Sequence, residues 1–195
     1  MFVSIIVPSY NHAQFLEERI ESILNQDFHN FEVILLDDLS PDNSAEILKK
    51  YQNHPKVSHC IINEKNSGST FYQWNKGIDL AKGELIWIAE SDDVADPHFL
   101  AKLVPKFDQN PNLVLAYSQS YRMNAQGEVT GTWKDCTDSS DAELFTRDFE
   151  LSGLEYIERF LTFQNTIPNA SSVVFKKKCY LDVGGANPSL KFIGD

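Results

Sequence analysis

The stretch LIWIAESDD, residues 85–93, carries a fold signal and a chemical signal side by side. Apolar residues fill its first half, and three carboxylates follow, at Glu90, Asp92 and Asp93. A short continuous apolar run is typical of a strand that is covered on both faces of a sheet. The stretch therefore predicts a buried strand that delivers negative charge to one edge of the sheet.

Similar strand signals recur upstream and alternate with helical patterns. The other predicted strands are residues 3–7, 31–36 and 57–62. Helices are predicted between them from apolar positions that share one helical face: Phe15, Leu16, Ile20, Ile23 and Leu24; Ala45, Leu48 and Tyr51; Phe71, Trp74, Ile78 and Ala81, with Gly83 as a helix stop. This regular alternation predicts an α/β fold with a mostly parallel, right-handed sheet flanked by helices.

The rhythm changes beyond residue 113. We predict a strand over 113–123, a hairpin turn at 124–127 leading into 129–133, and a loop over 134–150. A helix over 154–163 and a strand over 172–175 follow. Because no repeat, linker or low-complexity tract interrupts the chain, we expect one domain over 1–195, with halves at 1–105 and 106–195.

Composition narrows the function classes. The 195 residues carry a formal net charge of −11, which argues against nucleic-acid binding through Lys and Arg contacts to phosphates. No apolar stretch approaches the roughly 20 residues of a membrane span, and the N-terminus lacks the basic region of a signal peptide, so we expect a cytoplasmic protein. The cysteines, Cys60, Cys136 and Cys179, are widely spaced and are expected to be reduced.

Polar residues follow three of the predicted strands, at 8–11, 37–38 and 90–93. In an open parallel sheet, ligands bind outside the carboxyl ends of the strands, so these groups are expected to converge. The acids at 90–93 suit Mg²⁺ or Mn²⁺, which would offset their repulsion and hold a diphosphate. The alternative is that Asp92, Asp93 or Asp96 caps the next helix. Residues 37–38 fit either a turn or an acceptor for a nucleobase or ribose.

Four segments in order resemble the family 2 glycosyltransferases, inverting enzymes of the GT-A fold. They are VSIIVPSYN (3–11), EVILLDDLSPDNS (32–44), NSGSTFYQWNKGIDLAKGELIWIAESDD (66–93) and SSVVFKKKCYLDVGG (171–185). The resemblance implies a nucleotide-sugar site formed by Pro8, Tyr10, Asn11, Asp37, Asp38, Asn66, Lys76 and Asp92. It also implies that Asp92, Asp93 and Glu90 bind Mn²⁺ or Mg²⁺.

The reaction implied by the resemblance is a single displacement at the anomeric carbon of a nucleoside-diphosphate sugar, with a UDP-sugar favoured. Asp195 falls where the family has its catalytic base. The implied acceptor is a sugar or lipid-linked sugar in surface polysaccharide, lipopolysaccharide or glycan synthesis, which would bring peripheral association with the inner membrane face. Because family members carry a further helix after this aspartate, the acceptor-side half is expected to be incomplete.

Three positions depart from the family pattern. Leu39 replaces a glycine, so we expect no positive φ there. Trp74 replaces an arginine, and its place in a helical stripe favours core packing over stacking on a base, which leaves Lys76 as the nearest cation. Glu90 replaces an aspartate.

These three departures leave an alternative open, in which the chain is a degenerate domain of the family that binds nucleotide sugar without turnover. Other classes fit the sequence less well. A nucleotidyltransferase would need a Gly-rich, basic loop in place of PSYNHAQF, residues 8–15, and a receiver domain would need an aspartate directly after residues 61–62. Dinucleotide binding would need a GxGxxG motif after a strand.

Overall fold

The structure, a computed structural model, describes residues 1–190. Strands and helices alternate through its first half: β1 (Val3–Ser9), α1 (Ala13–Leu24), β2 (Phe31–Asp37), α2 (Ser44–Tyr51), β3 (Val57–Ile62), α3 (Thr70–Leu80) and β4 (Leu85–Ile88). β1 pairs in parallel with both β2 and β4, and β2 pairs in parallel with β3. The predicted α/β class with a mostly parallel sheet is confirmed.

The second half contains shorter elements. They are α4 (Phe99–Gln109), β5 (Leu115–Tyr117), β6 (Tyr121–Met123), β7 (Val129–Thr132), α5 (Lys134–Asp141), α6 (Gly153–Tyr156), β8 (Val173–Lys176) and α7 (Lys177–Asp182). The main sheet has the order β3-β2-β1-β4-β8-β5, and β8 is antiparallel to β4. Within residues 1–190, every helix is too short or too polar to span a bilayer.

The chain divides into two compact units, one formed by Met1–Ala116 with the segment from Val173 onward, and one formed by Tyr117–Ser172. In the first unit, every residue of β1 and β2 is buried, as expected for central strands with helices on both faces. The apolar faces of α1 and α4 join these strands in one core. The division at 105/106 that the sequence suggested stays a prediction.

The second unit consists of the antiparallel hairpin β6–β7 and a helical segment. Gly127 takes a φ of 80° in the hairpin turn, where the sequence predicted a turn. Phe145 and Phe160 are buried here and pack against each other with ring centroids 5.1 Å apart. The predicted helix over 154–163 is present, with α6 continuing into a π-helical turn at Ile157–Leu161.

Three predictions about secondary structure were wrong. The strand expected over 113–123 is two strands, because the chain leaves the main sheet after β5 and begins the hairpin at β6. The loop expected over 134–150 contains α5 and a 3₁₀ turn at Leu144–Thr146, with Thr137 buried. Gly83 does not end α3, which stops at Leu80; a Cβ at Gly83 would lie 2.6 Å from the backbone nitrogen of Ser4, so close approach explains the glycine.

The strand order places a topological switch point at β1. The chain moves from β1 to β2 and β3 on one side, and β4 then pairs on the other side of β1. Connections diverge at such a point and leave a crevice at the carboxyl ends of the strands, where open α/β sheets bind ligands.

Candidate functional site

A cavity of about 280 Å³ lies at the switch point. Its lining comes from the carboxyl ends of β1, β2 and β4 and from the start of α3: Pro8, Ser9, Tyr10, His12, Asp38, Asn66, Gly68, Ser69, Thr70, Gln73, Glu90 and Ser91. The structure therefore brings five of the sequence-predicted residues together here, namely Pro8, Tyr10, Asp38, Asn66 and Glu90.

Five other sequence-predicted residues of the described chain are outside this lining, and Asp93, which follows Asp92 in the segment after β4, is one of them. Asp37 is fully buried at the end of β2, and Asn11 follows β1 in a left-handed conformation with a φ of 59°. Lys76 lies on α3 and donates a hydrogen bond to Asn63 Oδ1 at 2.5 Å. Asp92 is half exposed in the segment after β4. Asp195 lies outside the described residues.

Asp38 is enclosed by hydrogen-bond donors of its own chain. Its Oδ1 accepts from Asn63 Nδ2 at 2.7 Å and from Gln73 Nε2 at 2.8 Å. Its Oδ2 accepts from the Ser67 hydroxyl at 2.7 Å, and the Ser67 backbone N–H lies 3.0 Å from both oxygens. Since only 4% of Asp38 is exposed, this carboxylate chiefly ties the loop after β3 and the start of α3 to the end of β2.

The turn after β2 corrects the expectation for Leu39. Asp37 Oδ2 accepts the Ser40 backbone N–H at 2.9 Å, and Oδ1 accepts the Ser40 hydroxyl at 2.5 Å. Ser40 Oγ in turn accepts the backbone N–H of Asn11 at 3.0 Å. These bonds hold the turn so that Leu39 takes a φ of 60°, and the prediction that this backbone needs no positive φ was wrong.

Glu90 is joined to α3 through Trp74. The indole N–H of Trp74 donates to Glu90 Oε1 at 2.6 Å, while the Trp74 ring packs edge-on against Phe71 with centroids 5.0 Å apart. Trp74 is 7% exposed, as the preference for core packing predicted. Burial raises the pKa of the Glu90 carboxyl to about 7, and the neighbouring charges of Asp92 and Asp93 act in the same direction.

His12 and Ser91 connect the ends of β1 and β4. His12 Nδ1 lies 2.7 Å from Ser91 Oγ and 4.0 Å from Asp92 Oδ1. Of the three acids that the sequence offered as helix caps, Asp96 is the one that bonds close to the start of α4: its Oδ1 accepts the backbone N–H of His98, directly before the helix, at 2.8 Å. The N-cap of α4, His98, has no side-chain cap bond, so capping does not account for Asp92 and Asp93.

Helix α3 organises the site through consecutive side chains. Gln73 reaches Asp38, Trp74 reaches Glu90, and Lys76 reaches Asn63 at the end of β3. Asn75 holds the turn after α7: its Nδ2 donates to Ala186 O at 2.9 Å, and its Oδ1 accepts the Tyr180 hydroxyl at 2.7 Å. One turn of helix thus fixes several segments around the cavity.

Sequence reasoning missed several lining residues. Ser9 and Ser91 lie inside the recognised segments 3–11 and 66–93 but were given no role, and His12 directly follows the first of these segments. Gln73 was not singled out, because the helical stripe draws attention to Phe71 and Trp74. Two buried atoms of the lining residues, Ser9 Oγ and Gln73 Oε1, have no hydrogen-bond partner.

The acidic segment fits a divalent cation only in part. Over residues 1–190, no group of three or more His, Cys, Asp or Glu side chains is arranged to hold a metal ion. Asp92 and Asp93 nevertheless supply hard carboxylate oxygens of the kind that Mg²⁺ or Mn²⁺ uses when substrate phosphates complete its coordination. The residues present therefore fit a cation that is shared with an anionic ligand.

The chain belongs to glycosyl transferase family 2, whose model matches residues 4–172. The glycosyltransferase GlyG of Streptococcus pneumoniae is 39% identical over 104 residues, which cover 52% of this chain and 33% of GlyG. TuaG of Bacillus subtilis, a glycosyltransferase named for teichuronic acid biosynthesis, is 35% identical over 91 residues, which cover 47% of this chain and 36% of TuaG. The chain thus matches about a third of the length of these relatives.

Solved structures show the same fold. The crystal structure of S. aureus TarS 1–349 in complex with UDP-GlcNAc has a TM-score of 0.74 and 23% identity, and the similarity covers 100% of this chain and 51% of that one. The mannosyltransferase PcManGT from Pyrobaculum calidifontis, in complex with GDP-Man and Mn²⁺, has a TM-score of 0.68 and 20% identity over 96% of this chain and 48% of its own. The predicted GT-A fold is therefore confirmed.

Proposed function

We propose that this chain is the catalytic region of an inverting glycosyltransferase that moves a sugar from a nucleoside-diphosphate sugar to a hydroxyl acceptor. The observation that carries the proposal is the cavity at the β1–β4 switch point of a family 2 chain, with carboxylates in the segment after β4. Ligands of open α/β sheets bind at this position.

The nucleotide is proposed to occupy the cavity between the end of β1 and the start of α3. Tyr10 lines the cavity and is 50% exposed, so its ring is available to pack on a nucleobase. Pro8, Asn66 and Asp38 would line the nucleotide site. Asn11, Asp37 and Lys76, which are outside the lining, would support these residues. A UDP-sugar is the favoured donor, and the UDP-GlcNAc complex of TarS supports this choice.

Asp92 and Asp93, with Glu90 beside them, are proposed to hold Mn²⁺ or Mg²⁺ together with the donor diphosphate. When bound, the cation would neutralise charge on the leaving nucleoside diphosphate. The Mn²⁺ complex of PcManGT supports a divalent cation in this fold. In this chain, Trp74 orients Glu90 through the 2.6 Å hydrogen bond, so Asp92 and Asp93 are the more accessible ligands.

Deprotonation of the acceptor hydroxyl is assigned to Asp195, which stays a prediction because that residue lies outside residues 1–190. A general base near the attacking hydroxyl would allow direct displacement with inversion at the anomeric carbon. The similarity to TuaG supports an acceptor in cell-envelope polysaccharide synthesis, as a sugar or a lipid-linked sugar. Peripheral association with the inner face of the membrane would follow from a lipid-linked acceptor.

A second candidate function is nucleotide-sugar binding without turnover. The hydrogen bond between Trp74 and Glu90 favours it, because this bond occupies one oxygen of a carboxylate that the family pattern places beside the donor. Both candidates predict donor binding, and only the first predicts transfer.

Turnover on a panel of UDP-, GDP- and TDP-sugars with Mn²⁺ separates the two candidates. Release of nucleoside diphosphate that depends on an added glycan acceptor, with the opposite anomeric configuration in the product by proton NMR, is the expected result. Donor binding without acceptor-dependent release would favour the binding domain. A product that retains the donor's anomeric configuration would contradict the inverting mechanism.

A further inference from the structure

Arg19, on α1, is the most unusual charged residue among those the structure describes. Its side chain is fully buried, and neither Nε nor Nη2 has a hydrogen-bond partner. Burying a guanidinium with two of its nitrogen atoms unpaired is costly, and such groups are retained where other charges compensate for the lost hydration. The surroundings of Arg19 should therefore show what compensates for its burial.

Arg19 packs against β4, the strand that precedes the acidic segment. Its guanidinium carbon is 5.0 Å from the ring centroid of Trp87, which is on β4 just before the carboxylates. Burial lowers the pKa of Arg19 to about 10, and the negative charges of Asp93, Glu90 and Asp92 oppose that shift. Arg19 is therefore positively charged at neutral pH, and its charge interacts with all three acids.

We infer that Arg19 is a fixed counter-charge of the acidic segment 90–93, which offsets the repulsion among its carboxylates and weakens their affinity for a free divalent cation. The cation would then bind together with a nucleoside diphosphate and not before it. The first part stands on the position of Arg19 alone, and the second rests on the proposed function.

Removal of the charge should change cation and anion binding in opposite directions. Without Arg19, the segment is more negative, so a free cation should bind more tightly and a nucleotide without metal should bind more weakly. If Arg19 served only to fill space against Trp87, its loss would loosen the site and weaken the binding of both. The signs of the two effects therefore separate an electrostatic role from a packing role.

The experiment compares the wild-type protein with Arg19→Met and with the charge-preserving control Arg19→Lys. Electron paramagnetic resonance of free Mn²⁺ measures cation binding without nucleotide, and calorimetry in EDTA measures UDP binding without metal. For Arg19→Met we expect Mn²⁺ to bind roughly tenfold more tightly and UDP roughly tenfold more weakly than for the wild type. Arg19→Lys should resemble the wild type in both measurements.

A folded Arg19→Met protein with unchanged or weaker Mn²⁺ affinity would overturn the inference, as would Mn²⁺ affinity that rises equally in Arg19→Lys. If circular dichroism shows that Arg19→Met is unfolded, Arg19→Gln replaces it with the same expected signs. Failure of the proposed function has a different signature: UDP would not bind the wild type with or without Mn²⁺, while the Mn²⁺ comparison would still decide the role of Arg19.

Discussion

Leu39 shows how neighbouring side chains override the preference of a single residue. Leucine disfavours a positive φ, and the sequence therefore predicted an ordinary backbone at this position. The hydrogen bonds from Ser40 to Asp37 hold the turn in the left-handed conformation nevertheless. Residue type alone predicts the backbone preference of Leu39. The conformation of the turn is instead set by the hydrogen bonds of the Asp37 carboxylate, two positions earlier.

Leu39→Gly should stabilise the protein. The left-handed conformation costs leucine about 1–2 kcal/mol, and glycine avoids this cost but adds about 0.5–1 kcal/mol of unfolded-state entropy. We expect a net gain of about 0.5–1 kcal/mol in the free energy of unfolding, measured by urea denaturation. Leu39→Ala is the control, because alanine keeps the strain; an equal gain in both variants would show that strain is not the cause.

Glu90 should make the stability of the metal-free protein depend on pH. Its pKa is about 7 in the folded protein and near 4.5 when unfolded, so the unfolded state loses this proton first as the pH rises. Stability should therefore fall between about pH 4.5 and 7, by up to about 3 kcal/mol, and level off above pH 7.

Glu90→Gln keeps a similar shape and an oxygen for the Trp74 N–H but removes the titration. Urea denaturation in EDTA at several values between pH 5 and pH 8 should give a flatter stability profile for this variant than for the wild type. Parallel profiles would show that Glu90 keeps an ordinary pKa in the folded protein.

Helix α3 was predicted as an element, and Lys76 was the one residue on it that the sequence assigned to the site. The spacing of Phe71, Trp74 and Ile78 gave the buried face, and all three side chains are buried. The polar contacts of Gln73 and Asn75 depend on which loops lie above the helix, and helical periodicity contains no information about those loops. Helix α5 was missed for a different reason: its sequence, KDCTDSSD, is polar and has no apolar face, as is typical of a loop.

Asn75→Ala should release the turn after α7. The change removes the bonds to Tyr180 and to both backbone groups of Ala186. The Ala186 N–H also donates to the Tyr180 hydroxyl at 2.8 Å, but that hydroxyl loses its own acceptor when Asn75 is removed. We therefore expect the Ala186 amide to exchange with deuterium roughly tenfold faster, with little change in the amides of β1. Asn30→Ala, which removes one exposed bond to Met1 O, is the matched control. Equal protection of Ala186 in wild type and Asn75→Ala would contradict this role.

Neither Gly77 nor Gly83 should tolerate a methyl group. A Cβ at Gly83 would meet backbone atoms of Ser4 and Phe2 at 2.6 and 2.8 Å, whereas a Cβ at Gly77 would meet Cγ2 of the Ile6 side chain at 2.4 Å. The paired strand cannot move freely, and Ile6 is fully buried and β-branched, so Gly83→Ala and Gly77→Ala should each lose stability, by about 1 kcal/mol or more. Thermal denaturation of both variants measures the loss, and unchanged stability in either variant would contradict it.

Across the first unit, the strand ends converge as the sequence predicted. Alternating strand and helix signals gave the parallel sheet, and the position of polar residues after three strands gave the site. The antiparallel placement of β8 beside β4 was not readable, because a short apolar strand gives no sign of its direction or its partner. The two-unit division depends on contacts distant in sequence: the change of rhythm near residue 113 lies close to its first border, but the return of the chain to the first unit at Val173 was not predicted.

The overall charge makes the cation central to donor binding. With a net charge of −11 and carboxylates at the cavity edge, the protein should bind an anionic nucleotide weakly unless a divalent cation is present. Arg19 reduces this repulsion within the site, but its single charge is smaller than that of the acidic segment.

Calorimetric titration of UDP into the wild-type protein, with and without Mn²⁺, tests the central claim most directly. The same titration on Asp92→Ala/Asp93→Ala identifies the residues, with Asp108→Ala, an acid on α4, as a control. We predict binding with Mn²⁺, at least tenfold weaker binding without it, and loss of the Mn²⁺ effect only in the double variant. Absence of binding by UDP, GDP and TDP to the folded protein with Mn²⁺ present would contradict the proposed donor site.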